Sequence, residues 1–496
     1  LSKFRKEYLK MIKPSLEEIN SLAQSYKIIP VTKEIYADTT TPITLLRKIS
    51  AISNRFYLLE SVEGGKKWGR YSFVGFDPKS RIYYKSGKVV IEGEGAKEIA
   101  TDKPFDAVRE FLKNYTSPKF DDIPPFTGGL VGYFGYSMIA VAEPVLKLRE
   151  SQFNDFDLMF FDKVVVYDHL TQKMIVIVNM KTDDVDFQYK KACDDIEKIV
   201  SIITDNQPLP PTSPYKNVEF KSNMTEDEFC KMVEKTKEYI YEGDIFQCVV
   251  SRRFESEYKG DLIDAYRVLR ITNPSPYMVY MRFDDSEIIS TSPETLVRLK
   301  NGRLSTYPVA GSRPRGATKE EDERLEKDLL SDQKELAEHN MLVDLGRNDI
   351  GRIARINSVE VTAYKVINKY SKIMHIASEV EGDIRDDMDA FNAIESVLPA
   401  GTLSGAPKIR ACEIIEELEQ YPRGIYGGAL GYVDFNGNLD VAIAIRMAVK
   451  KNDKVYVQAG AGIVADSVPH SEYMETYNKA LAVMNAVQGA AEADLP

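Results

Sequence analysis

Along the first half of the chain, apolar positions gather in short dense runs separated by Gly, Asp and Pro. Segments 55–62, 70–76, 81–92 and 127–136 are rich in aromatic and β-branched residues and predict strands. Residues 164–167 and 174–178 flank 168–173 and predict a hairpin. The spacing turns helical over 185–204, then meets Pro208, Pro210, Pro211 and Pro214, the best linker candidate in the chain. Beyond it, Thr225 and Glu228 form a capping-box pattern heading a helix that reaches about Tyr241. Gly243 and Asp244 close that helix, and an apolar strand over 245–250 follows. Residues 429–448 predict a second hairpin, turned at Asn436-Gly437 in type I′ form. Its second strand would set Val441, Ile443 and Ile445 on one face and Asp440, Ala442, Ala444 and Arg446 on the other. Long helical stretches alternate with strands elsewhere in this half, without a fixed-period repeat. The pattern predicts an α+β fold of large, mostly antiparallel sheets flanked by helices, with an N-terminal region over 1–217 and a second region over 218–496.

Composition narrows the function classes. With 496 residues, 43% of them hydrophobic, the chain can bury a large core. A net charge of −11 argues against nucleic acid or an acidic membrane surface as the main partner, though not against a small anionic substrate. No apolar run approaches the roughly 18 residues of a membrane span, and the Lys-rich start has no apolar signal core, so a soluble cytoplasmic protein is expected. The missing initiator Met suggests a trimmed terminus. Cys193, Cys230, Cys248 and Cys412 are scattered, which speaks against a disulfide framework or a zinc site, and the chain has only four histidines.

Two acidic pairs carry the chemistry. Glu335/Glu338 and Glu472/Glu475 each have i,i+3 spacing in a helical pattern, so each pair projects from one helix face. An isolated pair of this kind is commonly a solvated surface. Four carboxylates brought together would resist ionisation unless a cation joined them, and an all-oxygen set favours a hard ion such as Mg²⁺. Arg446, set among small alanines, suits a carboxylate held through a two-point fork. Gly460-Ala461-Gly462 lies between that arginine and the second acidic pair, where glycine lets backbone N–H groups approach an anion. The 401–408 loop looks superficially like a phosphate loop but lacks the GK[ST] ending, so nucleotide binding is not supported.

Five blocks then match a known pattern in order: 308–316 (PVAGSRPRG), 335–349 (ELAEHNMLVDLGRND), 404–411 (SGAPKIRA), 423–434 and 458–480. Through them the sequence resembles the chorismate-utilising enzymes, and within these the large-subunit family of anthranilate synthases. The resemblance implies two packed antiparallel sheets with the two sequence halves intermingled. It makes Glu338 and Glu475 direct Mg²⁺ ligands, with Glu335 and Glu472 completing the shell, and the ion grips the ring carboxylate of chorismate. Arg446, Tyr426 and the backbone of Gly460, Ala461 and Gly462 would take the enolpyruvyl carboxylate, with Gly311, Ser312 and Thr402 along the ring and Lys479 nearby. Glu294 would protonate the departing hydroxyl, and His375 would assist pyruvate elimination.

The resemblance also separates siblings. Water-adding relatives carry a lysine where this chain has Gln247, which cannot deprotonate water, so ammonia is the expected nucleophile. Para-aminating relatives usually carry a lysine where Ala310 stands. No region resembles a glutamine amidotransferase, so a separate subunit of that kind is expected to supply ammonia. Leu59, Glu60 and Ser61, with Pro276, Tyr277 and Met278, resemble the family's tryptophan inhibitor site. Ser312, Met447 and Ala377 depart from the family's common residues, and none of these removes an implied ligand.

Overall fold

The computed structural model describes residues 12–61, 69–209, 211–212, 215–369 and 373–493. The Lys-rich start, residue 62 of the first expected strand, and Pro210 and Pro214 of the expected linker lie outside the described residues. Mostly apolar runs mark strands covered on both faces: Phe56–Glu60, Gly129–Phe134 and Phe156–Phe161 are buried at every position. Among the described residues these strands assemble into a sheet of 13 strands and a sheet of 12, with antiparallel pairing.

Alternation sorts their side chains into layers. On Lys163–Asp168, Val164 and Val166 join an aromatic-rich core with residues of both sheets, while Val165 and Tyr167 face a helical layer. That outer layer includes Val185–Thr204, which applies Ala192, Ile196, Ile199 and Ile203, and Pro469–Gln488, which applies Ala480, Val483, Met484 and Val487. Gln333–Gly351 covers the outside of the second sheet with Val343 and Ile350. The result is a helix–sheet–sheet–helix stack.

Both sheets mix the two halves of the sequence. Phe56–Glu60 pairs with Tyr277–Phe283 in the first sheet, and Gly129–Phe134 pairs with Ala429–Asp434 in the second. The helix Glu226–Tyr241 opens on the capping box, Thr225 N donating to Glu228 Oε2 at 2.8 Å, and buries Phe229, Met232, Val233 and Thr236.

Three local expectations are corrected. The 81–92 segment is a hairpin, Ser80–Lys85 and Lys88–Gly93, turned by Ser86 and Gly87, both at positive φ. At Asn436-Gly437 only Gly437 takes positive φ (77°), so the turn is not type I′; the Asp434 carboxylate accepts from the backbone N–H groups of Asn436 and Asn438 and holds it. The strand expected to run through Arg446 stops at Ile443. The chain then crosses between sheets, since Leu439–Ile443 belongs to the second and Met447–Lys451 to the first. Arg446 occupies that crossing at φ 48°, and the alternation assumed for Asp440 and Arg446 does not hold.

Candidate active site

The two acidic pairs stand in the first two turns of helices from opposite outer layers, Glu335 and Glu472 in the first turn and Glu338 and Glu475 in the second. Asp332 caps Gln333–Gly351, and Pro469 pre-sets the first turn of Pro469–Gln488, so both helices present the positive ends of their dipoles where the carboxylates lie. Glu338 feels its neighbours across the gap. Burial first, then the charges of Glu335 and Glu475, raise its pKa, while Lys334 and Lys479 oppose the shift. Glu472 is raised chiefly by burial and also by Glu475, against a hydrogen bond from Ser467.

Two of the four carboxylates already have cationic partners. Glu475 Oε1 lies 2.5 Å from Lys479 Nζ, and Glu335 Oε1 lies 3.4 Å from Arg313 Nη1. The sequence had left Arg313 unassigned, although it falls inside the PVAGSRPRG block. Arg313 also pairs with Asp328 and Asp332, so it fastens the strand Val309–Pro314 to the start of the first acidic helix. His339, next to Glu338 in sequence, is buried and bonded to Ser378. Among the described residues, no three His, Cys, Asp or Glu side chains are drawn close enough together to hold a metal ion. The donor set nonetheless fits a hard divalent cation: the atoms the two pairs would offer are all carboxylate oxygens, and mutual repulsion is what an ion would relieve.

Lys479 links this acidic corner to the glycine strand. Its ammonium donates to the carbonyl of Gly460 at 3.0 Å, and its own carbonyl accepts from Arg446 Nη1 at 3.1 Å. Arg446, Glu475 and Lys479 line one open pocket of 470 Å³. The strained backbone of Arg446 is pinned on both sides: its carbonyl accepts from Thr291 N, and the carbonyl of Ile445 accepts from Ser290 Oγ. Burial lowers the guanidinium pKa, an effect opposed by Tyr426 and Glu475. Tyr426 is buried with its hydroxyl against Gly460, where an added Cβ would stand 3.0 Å from the phenol oxygen.

Gly462 leaves room for Gln247 on the neighbouring strand, whose Nε2 would lie 2.7 Å from a Cβ there. Gln247 is buried, and among the described residues its Oε1 has no hydrogen-bond partner. Ala310 is buried in register with Ile376.

The acid and base candidates sit at the starts of two strands of the second sheet, Thr295–Lys300 and Ile373–Asp383, which Arg303–Thr306 separates. Glu294 follows Ser286–Ser292, its carbonyl accepts from Ile443 N at 3.0 Å, and Thr402 Oγ1 donates to its Oε1 at 3.3 Å. Burial pushes the Glu294 carboxyl up to about 8, opposed by the Thr402 bond and the Lys479 charge. His375 lies opposite Ser312, and Gly311 forms a bulge there at φ 72° that brings its carbonyl 3.2 Å from His375 Nδ1. A carbonyl only accepts, so Nδ1 carries the proton and the ring lone pair is on Nε2. Burial, with a smaller contribution from Arg446, lowers the His375 pKa and keeps the ring neutral near pH 7. Gly311 also clears space for Glu335, whose Oε2 would be 3.0 Å from a Cβ at that position.

A separate cavity of 630 Å³ opens between the sheets, and Leu59, Glu60, Ser61, Pro276, Tyr277 and Met278 all line it. The Glu60 carboxylate is already engaged by Tyr266, Arg270 and Ser72. Arg298, Tyr432 and Asp440, from strands of the second sheet, complete the wall. These three were not picked out as cavity residues from sequence, because they become neighbours only through sheet packing.

The model of the chorismate binding enzyme family matches residues 54–485. The chain belongs to that family. It is 47% identical to anthranilate synthase component 1 of Acetivibrio thermocellus, over 97% of this chain and 100% of that protein. It is 46% identical to the component 1 of Aquifex aeolicus, over 96% and 98%. Among solved structures, anthranilate synthase component I from Streptococcus pneumoniae superposes with a TM-score of 0.77 at 37% identity, covering 91% of this chain and 99% of that one. The menaquinone-specific isochorismate synthase MenF of Escherichia coli shares the fold at TM-score 0.69 and 17% identity. Among the described residues no helix is long and apolar enough to cross a membrane.

Proposed function

We propose that this chorismate-binding enzyme is the large component of an anthranilate synthase, converting chorismate and ammonia to anthranilate and pyruvate. The observation that carries the reading is the convergence on Lys479: it joins the second acidic pair, the Gly460 carbonyl and Arg446, and its charge reaches Glu294. A dicarboxylate held at both ends there is oriented for ring chemistry. Glu338 and Glu475, with Glu335 and Glu472 behind them, would hold a Mg²⁺ ion that supplies charge neutralisation to the ring carboxylate. Arg446, Tyr426 and the N–H groups from Gly460 to Gly462 receive the enolpyruvyl carboxylate, and Gly311, Ser312 and Thr402 border the ring.

Glu294, protonated below about pH 8, donates its proton to the departing ring hydroxyl. The buried amide oxygen of Gln247, without a partner among the described residues, can accept from an N–H donor, which suits ammonia as the incoming nucleophile. His375, neutral with its lone pair on Nε2, assists the later loss of pyruvate. A separate glutamine amidotransferase subunit supplies the ammonia. Tryptophan, the inhibitor, fills the 630 Å³ cavity, a volume in the usual range for small ligands. Cysteines Cys193, Cys230, Cys248 and Cys412 are all free thiols, which accords with a cytoplasmic setting.

The test uses the purified chain. Chorismate, Mg²⁺ and ammonium should give fluorescent anthranilate, whereas glutamine without the partner should not. Formation of aminodeoxychorismate, or no consumption of chorismate, would sink the assignment.

A further inference from the structure

The loop after Lys408–Leu418 holds an ion pair that no step of the proposed reaction uses. Glu419 and Arg423 are 4% and 5% exposed. Arg423 Nε donates to Glu419 Oε2 at 2.9 Å and Nη2 donates to Oε1 at 2.6 Å. The rest of the fork reaches the main chain, Nη1 donating to the carbonyl of Leu403 at 2.5 Å and Nη2 to that of Val249 at 2.6 Å. The acid is engaged as fully, since Ser251 N and Oγ donate to Glu419 Oε1 at 2.8 and 2.7 Å. Gln458 Nε2 in turn donates to Ser251 Oγ at 2.8 Å. The Arg423 guanidinium carbon lies 4.8 Å from the ring centre of Tyr136 and 5.8 Å from that of Tyr426.

The hydrogen bonds that leave the pair, and the Tyr426 contact, all end at or beside a residue of the substrate wall. Leu403 follows Thr402. Val249 stands two positions from Gln247, on the same strand face and opposite Gly462. Ser251 is in register with Gly460, and Gln458 precedes Gly460 by two positions on the same face. Tyr426 packs near the guanidinium itself. Stability does not explain the choice of residues, because a buried ion pair is commonly matched or bettered by apolar side chains of similar volume. A bidentate fork with every oxygen and nitrogen engaged does fix direction and distance.

We infer that Glu419 and Arg423 form a positioning dyad that holds Thr402, Gln247, Tyr426 and the Gly460–Gly462 backbone in mutual register, so that the carboxylate of the substrate meets a preformed wall. The inference rests on the proposed reading of that wall as the chorismate site. Its signature is a defect in substrate binding that exceeds any defect in turnover.

Removing one partner would strand a buried charge and endanger the fold, so the variant to test is the double substitution Glu419→Gln/Arg423→Met, which removes both charges. With the far-ultraviolet circular dichroism of wild type, it should raise KM for chorismate about tenfold or more while kcat changes by no more than about threefold. Arg423→Lys should not rescue binding, because a single ammonium cannot serve the carboxylate and two carbonyls in fork geometry. Should the double variant fail to fold, Ser251→Ala decides, since it removes one neutral donor and should raise KM by about fivefold. A folded double variant, or failing that a folded Ser251→Ala protein, with wild-type KM overturns the dyad. A wild-type chain that does not consume chorismate overturns instead the functional reading beneath it.

Discussion

Glu294 shows how one residue's surroundings set its chemistry. Burial against a single weak hydroxyl donor leaves the acid form favoured up to about pH 8, so the group is a proton donor under ordinary conditions. Two outcomes follow. The rate of amination should fall as pH rises through about 8, and Glu294→Gln should lose about two to four orders of magnitude in kcat together with that limb of the profile. A pH-independent wild-type rate across that range would contradict the role. The same shift fixes a stability effect. The native protein retains a proton that the unfolded chain releases near the ordinary carboxyl value of 4.5, so this contribution is lost progressively as pH rises from there to about 8. Melts at pH 6 and pH 9 should therefore show wild type losing ground to Glu294→Gln on the alkaline side; equal losses would refute the shift. Gly460 supplies a steric counterpart. A Cβ there would meet the carbonyl of Val250 at 2.9 Å and the Tyr426 hydroxyl at 3.0 Å, and a main-chain atom cannot yield as a side-chain tip can. Gly460→Ala should raise KM for chorismate more than Gly462→Ala, whose first contact is the movable Gln247 amide. Steady-state KM values for the two variants decide the comparison.

At the scale of elements, the site depends on two helices meeting at their N-terminal turns. Each dipole favours the carboxylates it carries, and Lys479 and Arg313 each engage one carboxylate of a pair. The proposed Mg²⁺ has to compete for those two groups. Titration calorimetry should find divalent binding that Glu338→Gln weakens about tenfold or more, and exhaustive chelation should stop turnover. Undiminished binding in that variant would remove the acidic corner from consideration. How much of this was legible beforehand follows from the range of the signals. The i,i+3 spacing of Glu335/Glu338 and Glu472/Glu475 is local and specified both helix faces. The Thr225/Glu228 box and the 185–204 helix are equally local and were read correctly. Arg446 was misplaced on a strand because its alternation continues past the point where the chain leaves one sheet for the other, an event set by packing that leaves no periodic trace. Asn436-Gly437 was misread for a related reason: the dipeptide allows a primed turn, but the Asp434 carboxylate holds another geometry. Arg423 and Glu419 escaped notice because their partners come from segments far apart in sequence.

In the whole molecule, the interleaving of the two halves matters more than any single element. The 630 Å³ cavity has one wall from Phe56–Glu60 and Tyr277–Phe283 in the first sheet and the other from Thr295–Lys300 and Leu439–Ile443 in the second. A ligand wedged there acts on the relation between the sheets, and that relation also positions the active-site strands. Tyr277 makes one such connection. It lines the cavity, and its hydroxyl lies 2.9 Å from Thr295 Oγ1, on the residue that follows Glu294, and 2.8 Å from Asp440. If tryptophan occupies the cavity as proposed, saturating it at about a hundred times its Kd should stabilise the native state by about 2.7 kcal/mol, a rise of about 3 °C in Tm for a chain this long. Ser61→Leu, which intrudes on the cavity wall, should abolish that rise; an unchanged response would place the amino acid elsewhere. Linkage sharpens the prediction, since whatever factor tryptophan imposes on chorismate affinity, chorismate must impose on tryptophan affinity. Equilibrium titrations of tryptophan with and without chorismate should therefore give the same ratio as the reverse experiment, and that ratio should exceed one. A ratio of one, with both ligands bound, would mean that the two sheets transmit nothing between the cavity and the Glu294 strand end.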